Sequence, residues 1–185
     1  DYVSPWKEAL ETFLPECLEL FFRPAYDAID WLRGYTFLDQ ELRQVQREAE
    51  IGRQVVDKLV QLYRRDGTDT WVLIHIEVQS QPDVDFAKRM FTYYYRLLDR
   101  FDRPIASLAI LGDERPTWRP AQFEASLWGT NLRFEFQAVK LLDYRRDLGM
   151  LEDNRNPFAT IVLAHLRAQE TRRDPNARLG AKLDV

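Results

Sequence analysis

Two runs of strand-forming residues on either side of a turn sequence constrain this chain more than any other feature. Residues 55–63 (VVDKLVQLY) and 71–79 (WVLIHIEVQ) are rich in β-branched and aromatic residues, and the sequence RDGTD lies between them. Aspartate and glycine between two such runs are typical of a hairpin turn. The pattern therefore predicts two neighbouring antiparallel strands at the centre of the fold.

The other predicted elements alternate between helix and strand. Helices are predicted at 6–20 with a break at Pro15, at 21–32, at 83–101 and at 157–169, and strands at 105–111 and 132–140. Segment 37–50 suits either a helix or an exposed strand, and we expect a strand in its second half, whereas 118–128 is expected to be irregular. The alternation predicts a three-layer α/β domain, in which helices flank a central mixed sheet of about four core strands.

Composition excludes several classes of protein. A chain of 185 residues with 45% hydrophobic residues is long enough for one domain with a substantial core. No apolar run approaches the length of about 18 residues that a membrane span requires, so we expect no membrane partner. One cysteine excludes an internal disulfide, and two histidines argue against a structural zinc site. No signal peptide precedes the domain, so we expect a cytoplasmic protein.

The chain is acidic overall, but most of its basic residues are arginines. The formal net charge is −4, and the 26 basic residues comprise 21 arginines and 5 lysines. An acidic average does not favour indiscriminate binding to nucleic acid. It permits local binding if the arginines, whose planar guanidinium suits phosphate, gather on one face.

Three polar residues in the predicted hairpin form the strongest candidate site. Asp57 interrupts the first strand, and Glu77 and Gln79 lie two residues apart on the second. A hairpin loop with an odd number of residues, such as 65–69, pairs residue 64 with residue 70 and hence Asp57 with Glu77. A loop with an even number of residues would send Asp57 to the opposite face unless a bulge corrected it, so the hairpin register decides whether the two carboxylates share a face.

Two carboxylates held close together repel each other unless a cation or a shared proton lies between them. Oxygen ligands suit Mg²⁺ or Mn²⁺, which can activate a water for attack on phosphorus. Gln79 would supply hydrogen bonds to that water but no charge. The alternative is that Asp57 and Glu77 lie on a solvated sheet face or pair with arginines. The helix face formed by Arg89, Tyr93, Arg96 and Arg100 is likewise open to interpretation as a solvated face.

Taken together, these residues resemble a known family. The segment from Trp71 through Glu77-Val-Gln79-Ser, with Asp57 upstream and Arg89-Met-Phe-Thr-Tyr93 downstream, is similar to the recombination-promoting nuclease/transposase family of the PD-(D/E)XK nuclease superfamily. The similarity covers residues 6 to about 144. It implies a restriction-endonuclease-like fold, with a four-stranded mixed sheet in the order α-β-β-β-α-β.

The resemblance also implies roles for individual residues. Asp57 and Glu77 match the acidic pair that binds the metal, and the backbone carbonyl of Val78 is a further candidate ligand. Gln79 stands where many members of the superfamily have lysine, although glutamine is common in this family. Arg89 and Tyr93 match the family's helix residues that face the active cleft, and Glu41 matches an additional acidic position.

The function that the resemblance implies is a Mg²⁺- or Mn²⁺-dependent DNA endonuclease associated with recombination or transposition. Double-strand cleavage would favour a homodimer that presents two clefts. The alternative is a catalytically inactive module that keeps the fold and binds DNA or protein. We expect a helical segment at 1–36, a nuclease-like core at 37–144, and a C-terminal helix and polar tail at 145–185 that is truncated.

Overall fold

A computed structural model describes residues 3–48, 56–67, 69–77 and 83–173. The α-helices of this part are α1 (Val3–Thr12), α2 (Leu14–Phe21), α3 (Arg23–Ala28), α4 (Asp39–Glu48), α5 (Phe86–Phe101), α6 (Leu148–Glu152) and α7 (Pro157–Arg173). Its strands are β1 (Thr36–Phe37), β2 (Val56–Tyr63), β3 (Asp69–Glu77), β4 (Ile105–Leu111), β5 (Gln122–Leu127), β6 (Thr130–Glu135) and β7 (Gln137–Lys140). None of the helices in the described ranges is both long enough and apolar enough to cross a membrane.

Five strands form one mixed sheet in the order β1-β2-β3-β4-β7. β2 is antiparallel to both of its neighbours, whereas β4 is parallel to β3 and β7 is parallel to β4. A parallel neighbour requires a crossover, and α5 makes the crossover from β3 to β4. The prediction of a mixed α/β domain is therefore confirmed.

The hairpin of β2 and β3 forms as expected, but its register differs from the predicted one. Tyr63 pairs with Asp69, which places Asp57 opposite His75 and not opposite Glu77. Arg64 belongs to the turn instead, where its carbonyl accepts a hydrogen bond from the backbone of Gly67 (2.9 Å). The loop therefore spans 64–68 and keeps an odd number of residues, so the assignment of positions to faces is unchanged.

The two faces of the sheet bury two different sets of side chains. Even-numbered residues of β2 and β4, among them Val60 and Ile110, pack against α1, α2 and α7. Odd-numbered residues face the other way: Leu59 packs against α4 and α5, and Ala109 packs against α5 and the end of β6. Helices thus cover both faces, and the N-terminal and C-terminal helices share one core with the sheet.

Segment 37–50 contains a helix where we expected a strand. α4 covers Asp39–Glu48, and its Leu42 and Val45 are buried against Leu59 of β2 and Leu97 of α5. These two apolar residues lie three positions apart, which suits one face of a helix and would put them on opposite faces of a strand. Because the residues around Leu42 and Val45 are polar, the sequence pattern did not indicate this helical spacing.

The region after β4 also differs from prediction. Segment 118–128 contains β5, which pairs with β6 in a separate two-stranded sheet, so the expectation of an irregular segment is wrong. The single strand expected at 132–140 is divided at Phe136 into β6 and β7, because the backbone of Phe136 donates to the carbonyl of Ala121 (2.9 Å). The aromatic rings of Phe91 and Phe123 stack at 5.2 Å and attach the hairpin to α5.

Phe158 at the start of α7 is fully buried, and its ring lies 5.7 Å from those of Trp6 and Phe21. We predict that Phe158→Ala lowers the free energy of unfolding by about 3–5 kcal/mol, because the cavity cannot be refilled by neighbours from three helices. Urea denaturation followed by circular dichroism measures this loss. Thr160→Ala on the exposed side of the same helix is the control, with an expected change below about 0.5 kcal/mol. Equal losses in both variants would contradict this description of the core.

Candidate active site

The backbone places Asp57 and Glu77 on neighbouring strands at the same edge of the sheet. Asp57 is directly opposite His75, and Glu77 lies two residues beyond His75 at the end of β3. All three positions belong to the odd-numbered face, which α5 covers. Diagonal neighbours of this kind in an antiparallel pair are about 7–8 Å apart. The side chains of Asp57 and Glu77 lie outside the described part, and so do Val78 and Gln79 entirely.

The half-buried Glu41 lies in the first turn of α4. This helix packs on β2 and α5 through Leu42 and Val45, on the same face of the sheet as Asp57. The structure therefore places Glu41 in the helical layer above the hairpin, and its role as an additional acidic residue stays a prediction.

Arg89 is held close to the start of α5. Its guanidinium forms an ion pair with Asp83, and it lies over the ring of Phe86 at 5.5 Å from the centroid. Asp83 also accepts a hydrogen bond from the backbone of Asp85 (2.8 Å), which is the N-cap residue of α5. Arg89 therefore fixes the turn that enters α5, and only 16% of its side chain is exposed.

Tyr93 belongs to the core. It is fully buried in a cluster with Leu42, Val45, Leu59 and Leu97. The interpretation that Tyr93 shares a solvated helix face with the arginines of α5 is therefore wrong. The buried stripe of α5 runs through Phe86, Met90, Tyr93 and Leu97. Its contribution to a cleft stays a prediction.

A buried ion pair that the sequence analysis missed lies at the same edge of the sheet. Lys140, the last residue of β7, pairs with Asp113, two residues after β4, and their side chains are 1% and 0% exposed. Lys140 also donates to the carbonyl of Trp118 (3.2 Å) and lies 5.3 Å from the centre of its ring. Burial lowers the pKa of Lys140, because desolvation disfavours the ammonium, although the hydrogen bond to Asp113 acts in the opposite direction.

A signal for this pair was present in the sequence. Asp113 and Lys140 are opposite charges that follow or end two predicted strands, 105–111 and 132–140. The carboxyl ends of adjacent parallel strands meet at one edge, so two such charges are brought together once the strands are known to be neighbours. The sequence alone does not give that adjacency.

The loop after β4 is attached at two further points. Arg119 forms two hydrogen bonds to Asp143, of 2.8 and 2.6 Å, which raise the pKa of Arg119 and lower that of Asp143. On the other face of the sheet, His165 and Gln169 of α7 lie 3.0 and 2.6 Å from the carbonyl of Gly112. The end of β4 is therefore held from both sides.

Among the side chains that the structure describes, no three histidine, cysteine, aspartate or glutamate residues lie together as a metal centre. The carboxylates of Asp57 and Glu77 are not among those side chains.

No family model, no curated protein and no solved structure matches this chain. The resemblance to a nuclease family stays a prediction. The function must be argued from the arrangement of the residues.

The buried pair gives a direct prediction for stability. Lys140→Met leaves the Asp113 carboxylate buried without its cation, which we expect to cost about 3–5 kcal/mol in the free energy of unfolding. The double variant Asp113→Leu/Lys140→Met removes both charges and should recover most of this loss. Urea denaturation measures both values, and Lys88→Met on the exposed side of α5 is the control. A single variant as stable as the double variant would contradict a coupled pair.

Asp143 gives a prediction for pH dependence. The pKa of Asp143 is lowered in the folded state, so its ion pair stabilises the fold above the ordinary aspartate value and ceases to do so as the pH falls through the folded-state pKa. Asp143→Asn should cost less than about 1 kcal/mol at pH 7, since both partners are nearly half exposed. In urea denaturation the difference from wild type should vanish in strong acid. The matched control variant in the same denaturation series is Asp153→Asn at the exposed end of α6.

Proposed function

We propose that this chain is a Mg²⁺- or Mn²⁺-dependent DNA endonuclease with a restriction-endonuclease-like fold. In this proposal Asp57 and Glu77 hold the ion, the carbonyl of Val78 is a further ligand, and Gln79 orients the attacking water. The observation that carries the proposal is the placement of positions 57 and 77 as diagonal neighbours on one face at one edge of the sheet.

The separation of these positions suits a shared divalent ion. Oxygen ligands bind Mg²⁺ at about 2.0–2.1 Å, so two carboxylates on backbone positions about 7–8 Å apart can reach one ion from both sides. Positions directly opposite each other would crowd the carboxylates more closely. The observed register, with Asp57 opposite His75, is therefore at least as suitable for a shared metal ion as direct pairing of Asp57 with Glu77.

The nearby lysines have other carboxylate partners. Lys58 follows Asp57 directly but lies on the opposite face, where it binds Glu11 (2.5 Å) and Asp39 (3.1 Å). Lys140 at the same edge binds Asp113. Both lysines are therefore paired with carboxylates of described residues, and in the proposal a bound divalent ion is the group that would neutralise Asp57 and Glu77.

The order of elements also supports the proposal. β1, β2, β3, α5 and β4 follow each other along the chain as three strands, a helix and a fourth strand parallel to the third. This is the β-β-β-α-β order that the resemblance implies. α4 is a departure, because it is inserted between the first and second strands.

The proposed chemistry divides between the ion and the chain. A bound Mg²⁺ supplies a water of lowered pKa and neutralises negative charge on the leaving oxygen. Gln79 would orient that water through its amide. Arg89 would buttress the turn before α5, because its guanidinium is already paired with Asp83. Contact with the DNA backbone would then come from other arginines, in keeping with an acidic chain that binds nucleic acid only locally.

The test is a plasmid-nicking assay with the 185-residue chain in Mg²⁺, in Mn²⁺ and in EDTA. Wild type should nick supercoiled DNA only with the metal. Asp57→Asn and Glu77→Gln should each lower the rate by at least about a hundredfold, because each removes a charged ligand of the catalytic ion. Gln79→Ala should lower the rate less, since it removes a neutral hydrogen-bonding group.

The matched control is Glu124→Gln, which removes an exposed carboxylate from the β5–β6 hairpin. Cleavage that is equal in all variants, or that persists in EDTA, would refute the assignment. No cleavage by wild type, together with no Mg²⁺ binding in calorimetry, would indicate the inactive module instead.

A further inference from the structure

One row of residues connects the proposed metal site to the buried ion pair. Glu77 pairs with Leu111 of β4, and Leu111 pairs with Lys140 of β7, so the three lie in register across three parallel strands. Asp113 follows two residues after Leu111. The Asp113–Lys140 pair is therefore joined to the end of β3 through the backbone pairing of β4.

A second route leads from the pair to the start of α5. Lys140 binds the carbonyl of Trp118, and the indole of Trp118 packs edge-on against Phe86 at 5.4 Å. Phe86 is the first residue of α5, and Arg89 one turn later holds Asp83. The same ion pair thus contacts the structures on both sides of residues 78–82, which connect β3 to that turn.

We propose that Asp113 and Lys140 are positioning residues for the metal site at Asp57 and Glu77. This inference rests on the proposed function. The pair fixes the end of β4, against which Glu77 is paired, and it fixes Trp118, against which α5 begins. The pair thereby supports both the end of β3 and the start of α5, which are the described elements on either side of residues 78–82.

The hydrogen bonds of the Asp113–Lys140 pair are directional, which explains why a charged pair would serve to position the metal site. A buried ion pair adds little net stability over apolar residues of similar size. Its hydrogen bonds, however, permit only a narrow range of distances and angles. Lys140 satisfies two acceptors, Asp113 and the Trp118 carbonyl, whereas an apolar side chain could slide relative to both.

The test measures Mg²⁺ affinity of the full chain by calorimetry. The double variant Asp113→Leu/Lys140→Met restores most of the stability and lacks the hydrogen bonds, and it should bind Mg²⁺ about tenfold more weakly than wild type, the usual effect of losing a residue that supports a metal ligand. Lys140→Arg keeps the charge and changes the donor geometry, so its affinity should fall by about threefold. The second variant provides a result even if the first folds poorly.

Phe158→Ala is the control, because it destabilises the core on the other face of the sheet and should leave Mg²⁺ affinity unchanged. Wild-type affinity in both variants of the pair would overturn the positioning role and leave the proposed function intact. Wild-type protein that binds no Mg²⁺ would contradict the proposed function and this inference with it. A loss of affinity in Phe158→Ala equal to that in the double variant would show a general effect of stability and would also overturn the inference.

Discussion

The antiparallel pairing of β2 with β3 is the interaction on which the rest of the structure depends. Its register pairs Tyr63 with Asp69 at the closed end of the hairpin and Val56 with Ile76 at the open end. A shift by a single residue would exchange the faces of β2, sending Leu59 toward α1 and Val60 toward α5. It would also separate position 57 from position 77, so the core and the candidate site are determined by the same register.

This register also determines where the buried charges lie. Lys58 is directed to the α1 face, where Glu11 and Asp39 neutralise it, while Lys140 lies on the α5 face with Asp113. Each lysine is buried only because a carboxylate from a distant part of the chain reaches it. Lys58 is adjacent to Asp57 in sequence, and Lys140 lies in register with Glu77 across the sheet, but both lysines are paired with other carboxylates.

The parts of the fold that could be predicted are those in which local pattern and burial agree. Alternation in β3 and the apolar run of β4 were sufficient local signals, and in β4 the run agrees with burial of residues on both faces of the sheet. α4 was missed because, among its described side chains, Leu42 and Val45 are the only buried ones in a polar helix. β5 was missed because most of its residues are exposed and its stability comes from Phe123 packing on Phe91. The Asp113–Lys140 pair depends on β4 lying beside β7, which no local pattern gives.

Stability and the proposed activity are linked at this edge of the sheet. An ion that binds only the folded chain stabilises it by about 2.7 kcal/mol when present at a hundred times its dissociation constant. That gain is comparable to the expected cost of breaking the buried pair on the neighbouring strands. In the proposed site the carboxylates at positions 57 and 77 would repel each other without an ion, and this repulsion would destabilise the strand ends that carry them. Rigid support from Asp113 and Lys140 would then offset the repulsion before the ion arrives, at the point where β3 has a fixed neighbour in β4.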